Sequence, residues 1–502
     1  MCKRICGHFI SLLMSSTIQL LMNKRILVAL SLQLGLLLMV IGVYICLNPW
    51  SWQSKSLLEI MFMFVVFQSL VLHTNFHGTW KNIDNLFIAF FVFFLGTRFL
   101  FDFFSDKYNV CFFEFFLARQ VSVNVVNRAV FNLMIALCSY NIGGLLWRYF
   151  SKSYRKDEFI PSLESEWLPS NKVVYALLGV GGLAKLYYSY QVFMAMLTYG
   201  YLSFFTDGFS INRNLAFMFA ETFYEIAIFI IICRKEKMRK WEAFFIFLYI
   251  GLSMATGQRG LGMLSVVFFI FYLVKAGKMK INIMKLFLIV VFLFLFSVVV
   301  GNIRSDKELD FTSVFSYFFD FFYGQAISIT VLVSTIDYIS QIDFSFWDLF
   351  GHIRYLLEYY WEKITLQTPV PIDALTLQAE EYKWYGQYIS CLTNPDMYYR
   401  GLGTGSSYVG QLFAVGKEGA QFLGGMFVGY LAGVFYHYLS SPNFLKRFYA
   451  FHALTVFIFI PRANLFEFVS MQWAPYVTSL FIYFFILMGK RKKSVTINCC
   501  YV

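Results

Sequence analysis

The chain has 502 residues, 59% of them hydrophobic and only 14% charged, with a mean hydropathy of +0.62 and a formal net charge of +12. Those proportions exclude a soluble globular enzyme, because such a chain cannot cover its apolar surface with water-facing groups. The positive charge does not describe a nucleic-acid interface either: Lys and Arg stand in short clusters between apolar runs, not along one face. The 9 Cys form no CxxC pairs and interleave with no His, so neither a zinc site nor a disulfide framework is expected.

Residues 1–25 read as a cytoplasmic N-terminal segment. Its apolar run His8 to Leu21 is shorter than a membrane span and lacks a cleavage site; Met22 is an alternative start, and an in-plane helix an alternative role. A bilayer core takes about 20 apolar residues per helix and requires backbone groups to be satisfied internally. Spans are predicted near 26–46, 57–73, 85–104, 125–147, 173–197, 214–233, 241–256, 260–275 and 284–301, making a nine-helix block over 26–301. A large periplasmic loop follows over 302–417, in which Phe311 to Ile339 is apolar enough for a re-entrant or interfacial helix pair. Three more spans, near 419–439, 447–461 and 471–489, make up 418–489, and 490–502 is a tail. The fold class is all-α, polytopic, with about 12 transmembrane helices.

Charge sets the orientation. With Lys24 and Arg25 inside, the clusters Arg148 to Lys156, Arg234 to Lys240, Lys275 to Lys285, Lys446 with Arg447, and Lys490 to Lys493 all fall inside as well, which makes both termini cytoplasmic.

The arginines left outside are then costly to keep there, and their planar forks match phosphate oxygens. Gln258 and Arg259 occupy the glycine-flanked tip Thr256-Gly257-Gln258-Arg259-Gly260; snorkelling to headgroups is the plain alternative. Arg304 follows the ninth span, Arg400 lies in the long loop, and Arg462 sits in the last hairpin tip, with loop salt bridges as the ordinary alternative. Ser406 and Ser407 end the Gly-rich stretch from Arg400, whose amides and hydroxyls suit a diphosphate or sugar at a helix start, or else form a simple turn. A general base for a sugar hydroxyl is sought among the outer carboxylates and His352, with Asp320 in its aromatic setting first; a structural hydrogen-bonding acid is the alternative. No Asp-x-Asp stands where it would hold a metal-bound nucleotide sugar, so no metal and no cofactor are expected.

These features together resemble the Wzy-type oligosaccharide repeat-unit polymerases of bacterial surface polysaccharides. The local matches are Thr256 to Gly262, Asp320 to Gln325, Gly401 to Gly419 and Pro461 to Ser470. The resemblance implies a GT-C-like membrane glycosyltransferase of the bacterial inner membrane. It would join undecaprenyl-diphosphate-linked oligosaccharides at the periplasmic face, with a chain-length regulator as a partner and no nucleic acid. Arg259, Arg304, Arg400 and Arg462 would stabilise the departing lipid diphosphate, and Asp320 or His352 would take the acceptor proton. The rival readings are an O-antigen ligase and a lipid-linked oligosaccharide flippase or secondary transporter; the latter two need polar groups near the bilayer midplane, whereas here they concentrate in one loop.

Overall fold

The computed structural model of the protein describes residues 2–104, 112–113, 119–151, 169–199, 215–234, 238–255, 259–276, 314–365, 374–470 and 473–484. These residues are helical apart from turns, connections and one two-residue antiparallel ladder, Phe112–Phe113 with Arg119–Gln120. Six described helices are long and apolar enough to cross a membrane. The fold is therefore all-α and polytopic.

The chain begins with α1 (Cys2–Cys46), unbroken between the N-terminal apolar run and the first predicted span, and α2 (Trp52–His77), whose N-cap Ser51 accepts from the Gln53 amide at 3.2 Å. A tight turn follows because Gly78 adopts φ +64°, a left-handed conformation that glycine takes without a Cβ penalty. Asn82 then caps α3 (Ile83–Phe91), accepting from the Asn85 amide at 2.8 Å. One π-helical turn, Val92–Gly96, interrupts this apolar helix before α4 (Thr97–Phe104) completes it.

At the centre lies α5 (Val123–Ser151), 94% of whose most apolar window is buried, which identifies it as the helix the others wrap. Next come α6 (Asn171–Tyr199), α7 (Leu215–Cys233), α8 (Lys240–Ala255) and α9 (Arg259–Lys275). The predicted span at 284–301 and the segment to Ser313 lie outside the described residues. Where a helix pair was expected, α10 (Val314–Gln325) passes through a 3₁₀ turn, Ala326–Ser328, directly into α11 (Ile329–Asp337), with right-handed helical dihedrals on both sides of the join. No Pro or left-handed residue stands there to reverse the chain.

Beyond it, the described loop carries α12 (Gly351–Thr365) and α13 (Tyr385–Thr393). The helical run α14 (Tyr408–Leu439) begins about ten residues before its predicted span and carries a break at Gly416 and Lys417, the latter at φ +52°. The chain doubles back there, because the Leu412 side chain lies against Gly424. Residues 418–439 then run parallel to α5 along a seam of Gly425, Gly429 and Gly433 facing Ser139, Tyr140 and Trp147. A Cβ at Gly429 would collide with the Tyr140 carbonyl, and one at Gly143 with the Met426 carbonyl, so only glycine admits this backbone contact. The described chain closes with α15 (Phe444–Phe457), a tip at 458–467, and a helix over 473–484.

Three charges read from sequence as loop markers are buried instead. Arg234 forms a two-pronged pair with Glu242 at 2.7 and 2.6 Å, Arg447 donates to the Ser441 carbonyl at 2.7 Å, and Arg148 reaches Asp84 at 3.1 Å. An isolated buried charge is expensive, and each of these has an oxygen partner.

Candidate functional site

Three irregular helical turns meet: the π turn Val92–Gly96, the 3₁₀ turn Ala326–Ser328, and a second 3₁₀ turn, Ile460–Arg462, in the last hairpin tip. Single π turns inside α-helices are often found at functional sites, since they shift the register of side chains that follow. Here the side chain that follows is Arg98. Its Nε donates to the Tyr323 carbonyl at 3.3 Å, and its guanidinium lies 4.4 Å from the centre of the Tyr323 ring. Arg462 approaches from the tip, donating Nη1 to Gln325 Oε1 at 3.0 Å and to the Gln325 carbonyl at 3.5 Å, with its guanidinium 5.6 Å from the Phe94 ring.

Phe94 and Arg98 are four residues apart, so the two guanidiniums bind neighbouring points of one helical face. The oxygens they hold on Tyr323 and Gln325 are neutral. A phosphate competes well for such donors, because charge-assisted bonds are roughly twice as strong as neutral ones. The buried hydroxyls of Ser328 and Thr330, on the helix Arg462 grips, have no hydrogen-bond partner. Four residues past Arg98, Asp102 binds Lys55, which also lies 3.2 Å from Glu59; Lys55 and Glu59 are buried and Asp102 is half-buried.

The tip that carries Arg462 also gathers other predicted residues. Asn464 and Glu467 are bonded to each other: the Asn464 amide and Nδ2 donate to Glu467 Oε2 at 2.8 and 2.9 Å, and the Glu467 amide donates to the Asn464 carbonyl at 3.1 Å. Burial pushes the Glu467 carboxyl up, while the Asn464 donors oppose the rise. Ser406 donates to Asn464 Oδ1 at 2.8 Å, and Gln411 Oε1 accepts from the Leu465 amide at 2.8 Å. Ser407, at the N-cap of α14, is buried with its hydroxyl unpartnered.

His352, at the start of α12, makes a backbone hydrogen bond with Phe466 and is 2% exposed. Burial lowers its pKa from 6.5 to about 4, with the Phe466 bond opposing. Its Nε2 has no partner. At neutral pH the ring is therefore uncharged, and with one nitrogen donating to the backbone, Nε2 presents a lone pair.

Thus the last tip carries Arg462 and is bonded to His352 and to Ser406, whose chain neighbour is Ser407. Arg400 stands apart in an exposed turn, Tyr399–Gly401. Asp320 falls within α10 and Arg259 opens α9, but both side chains lie outside the described residues, as do Gln258 and Arg304 altogether. Sequence reasoning missed Arg98. An arginine six residues from the end of a 22-residue apolar helix was a signal by itself, since ionisable groups inside membrane segments are kept at a cost.

Together these features define a multi-pass helical membrane protein with a buried, arginine-lined site. The family model for O-antigen polysaccharide polymerase Wzy matches residues 28–493, and the chain belongs to that family. Membership makes it a glycosyltransferase-like polymerase of lipopolysaccharide biosynthesis that works on lipid-linked oligosaccharides. No curated protein and no solved structure matches the chain.

Proposed function

We propose that the protein joins undecaprenyl-diphosphate-linked repeat units at the periplasmic face of the bacterial inner membrane, without a metal, by transferring the growing glycan from its lipid to a lipid-linked acceptor. The observation that carries this reading is the pairing of Arg98 and Arg462 on one helix, joined through a four-residue stretch of tip to the neutral ring of His352.

The acceptor hydroxyl gives its proton to His352 Nε2 or to Asp320, and its oxygen bonds to the anomeric carbon of the donor glycan. The bond from that carbon to the phosphate oxygen breaks, and its electron pair leaves on the polyprenyl diphosphate. Arginines aimed at that developing charge supply the stabilisation, typically a factor of about 10² to 10³ per donor. Arg259, Arg304, Arg400 and Gln258 are further contacts for the diphosphate or the glycan, and Ser406 and Ser407 for glycan hydroxyls. Both termini are placed in the cytoplasm, and a chain-length regulator is the expected partner.

The test is a gel profile of surface lipopolysaccharide from a deletion strain, complemented with wild type or Arg462→Ala at equal protein level. Polymerase action predicts core bearing one repeat unit in the deletion, a ladder with wild type, and no ladder with the variant. Bare core in the deletion points instead to a ligase or flippase.

A further inference from the structure

Far along the same helix from Arg98, a second cluster lies apart from the arginine pair. His73 and His77 stand four residues apart on α2, so both project from one face of the helix, and the Gly78 turn brings Asp84 of α3 back against them. One ligand atom from each lies within 4.8 Å of the other two. Asp84 is ten residues before Phe94, about 15 Å along a helix axis, which separates this cluster from the arginine pair.

The hydrogen-bond directions here can be worked out. Ser69 donates its only hydroxyl proton to the Val65 carbonyl at 2.7 Å, so its oxygen accepts from Asn141 Nδ2 at 2.7 Å. The second Asn141 N–H goes to Gln33 Oε1 at 3.2 Å. Asn141 Oδ1 must then accept, and its partner at 3.0 Å is His73 Nε2, which therefore carries the proton. In the neutral ring, Nδ1 is left as a lone pair. It is buried, has no hydrogen-bond partner, and lies 3.2 Å from Asp84 Oδ2. His77 Nε2 hydrogen-bonds the same oxygen at 2.8 Å, with Arg148 Nη2 2.5 Å away from it. The three ligand atoms thus converge on one point, with the Arg148 guanidinium at its edge.

We propose that His73 Nδ1, His77 Nε2 and Asp84 Oδ2 form a binding site for one divalent first-row transition-metal ion. Two imidazoles and a carboxylate suit zinc and its neighbours, and two His at a four-residue spacing on a helix are a known ligand arrangement. The outer partners are in place too: Asn141 fixes the His73 tautomer, and Tyr140 donates to the other Asp84 oxygen at 2.8 Å. Arg148, 3.1 Å from Asp84 Oδ2, acts as a tethered cation in competition with the metal. Its guanidinium, 5.4 Å from the Phe76 ring, moves aside on loading.

Full-length protein purified in detergent, stripped by chelator and titrated with Co²⁺, decides the matter by its visible absorption and by bound metal after equilibrium dialysis. One Co²⁺ per chain is expected in the wild type. Asn141→Ala weakens binding roughly 10- to 100-fold, His77→Ala abolishes it, and Arg148→Gln tightens it. His437→Ala and His452→Ala leave it unchanged. The proposal is overturned if wild type binds no Co²⁺, or if His73→Ala and His77→Ala bind as wild type does. Should a histidine variant fail to fold, the wild type alone suffices: its thermal midpoint must rise with Zn²⁺ and fall back with chelator, and an unmoved midpoint sinks the site.

Discussion

Lowering the pH should loosen the last hairpin tip through His352. In the folded chain this ring has a pKa near 4, against 6.5 when exposed. The unfolded chain therefore takes up a proton between those values and the folded chain does not, so stability is complete above pH 6.5 and falls as pH drops toward 4. At 1.36 kcal/mol per pH unit, that interval corresponds to about 3 kcal/mol. His352→Gln keeps an amide donor for the Phe466 bond and removes the titration. Thermal midpoints of both proteins in detergent, measured from pH 8 to pH 4, should diverge only in the acid half, with the wild type falling further. Parallel profiles would show that His352 is not held neutral by burial, and its place as proton acceptor would fall with that.

Arg98→Gln should lower polymer synthesis by about 10² to 10³ while leaving the protein inserted, with Arg98→Lys recovering part of it, as read by the ladder and by turnover of purified lipid-linked substrate; full activity in Arg98→Gln removes it from the site. Gly429→Ala forces the α5 seam apart and should cost about 1 to 3 kcal/mol or more, visible as a lower thermal midpoint; an unchanged midpoint would mean the helices are not in backbone contact. Lys417 holds a positive φ that a side chain adopts at a cost, so Lys417→Gly should raise stability by about 1 kcal/mol. Glu242→Leu strands the Arg234 charge and should cost about 3 to 5 kcal/mol, whereas the double change Arg234→Met, Glu242→Leu should recover most of it.

Much of the helix inventory was legible because apolar length alone predicts a membrane helix, and α1 through α5 begin or end within a few residues of the predicted spans or extend beyond them by about a turn or two. The irregular turns were not. Nothing in Val92-Phe93-Phe94-Leu95-Gly96 distinguishes a π turn from an α turn; it forms where Gly96 lets the Phe62 ring approach and Thr97 turns its hydroxyl back onto the Val92 carbonyl at 3.0 Å. The doubling back at Gly416 and Lys417 falls at the predicted boundary between the long loop and the span near 419–439; what could not be read was that the chain before it, from Tyr408, is already helical. Of the candidate site, His352, Ser406 and Arg462 were visible as polar groups in unexpected places. That Phe466 and Asn464 would draw them together was not, since both bonds join segments more than fifty residues apart. The His73 and His77 spacing was present in the sequence and went unread because the third ligand comes from the next helix.

The glycine seam also bears on which parts of the molecule stay fixed. Two helices in backbone contact cannot slide or part by side-chain rearrangement, so α5 and residues 418–439 behave as a fixed wall. α11 packs against both α5 and α14 and is tied to that wall, so the Gln325 contact that Arg462 makes, just before α11, rests on a rigid support.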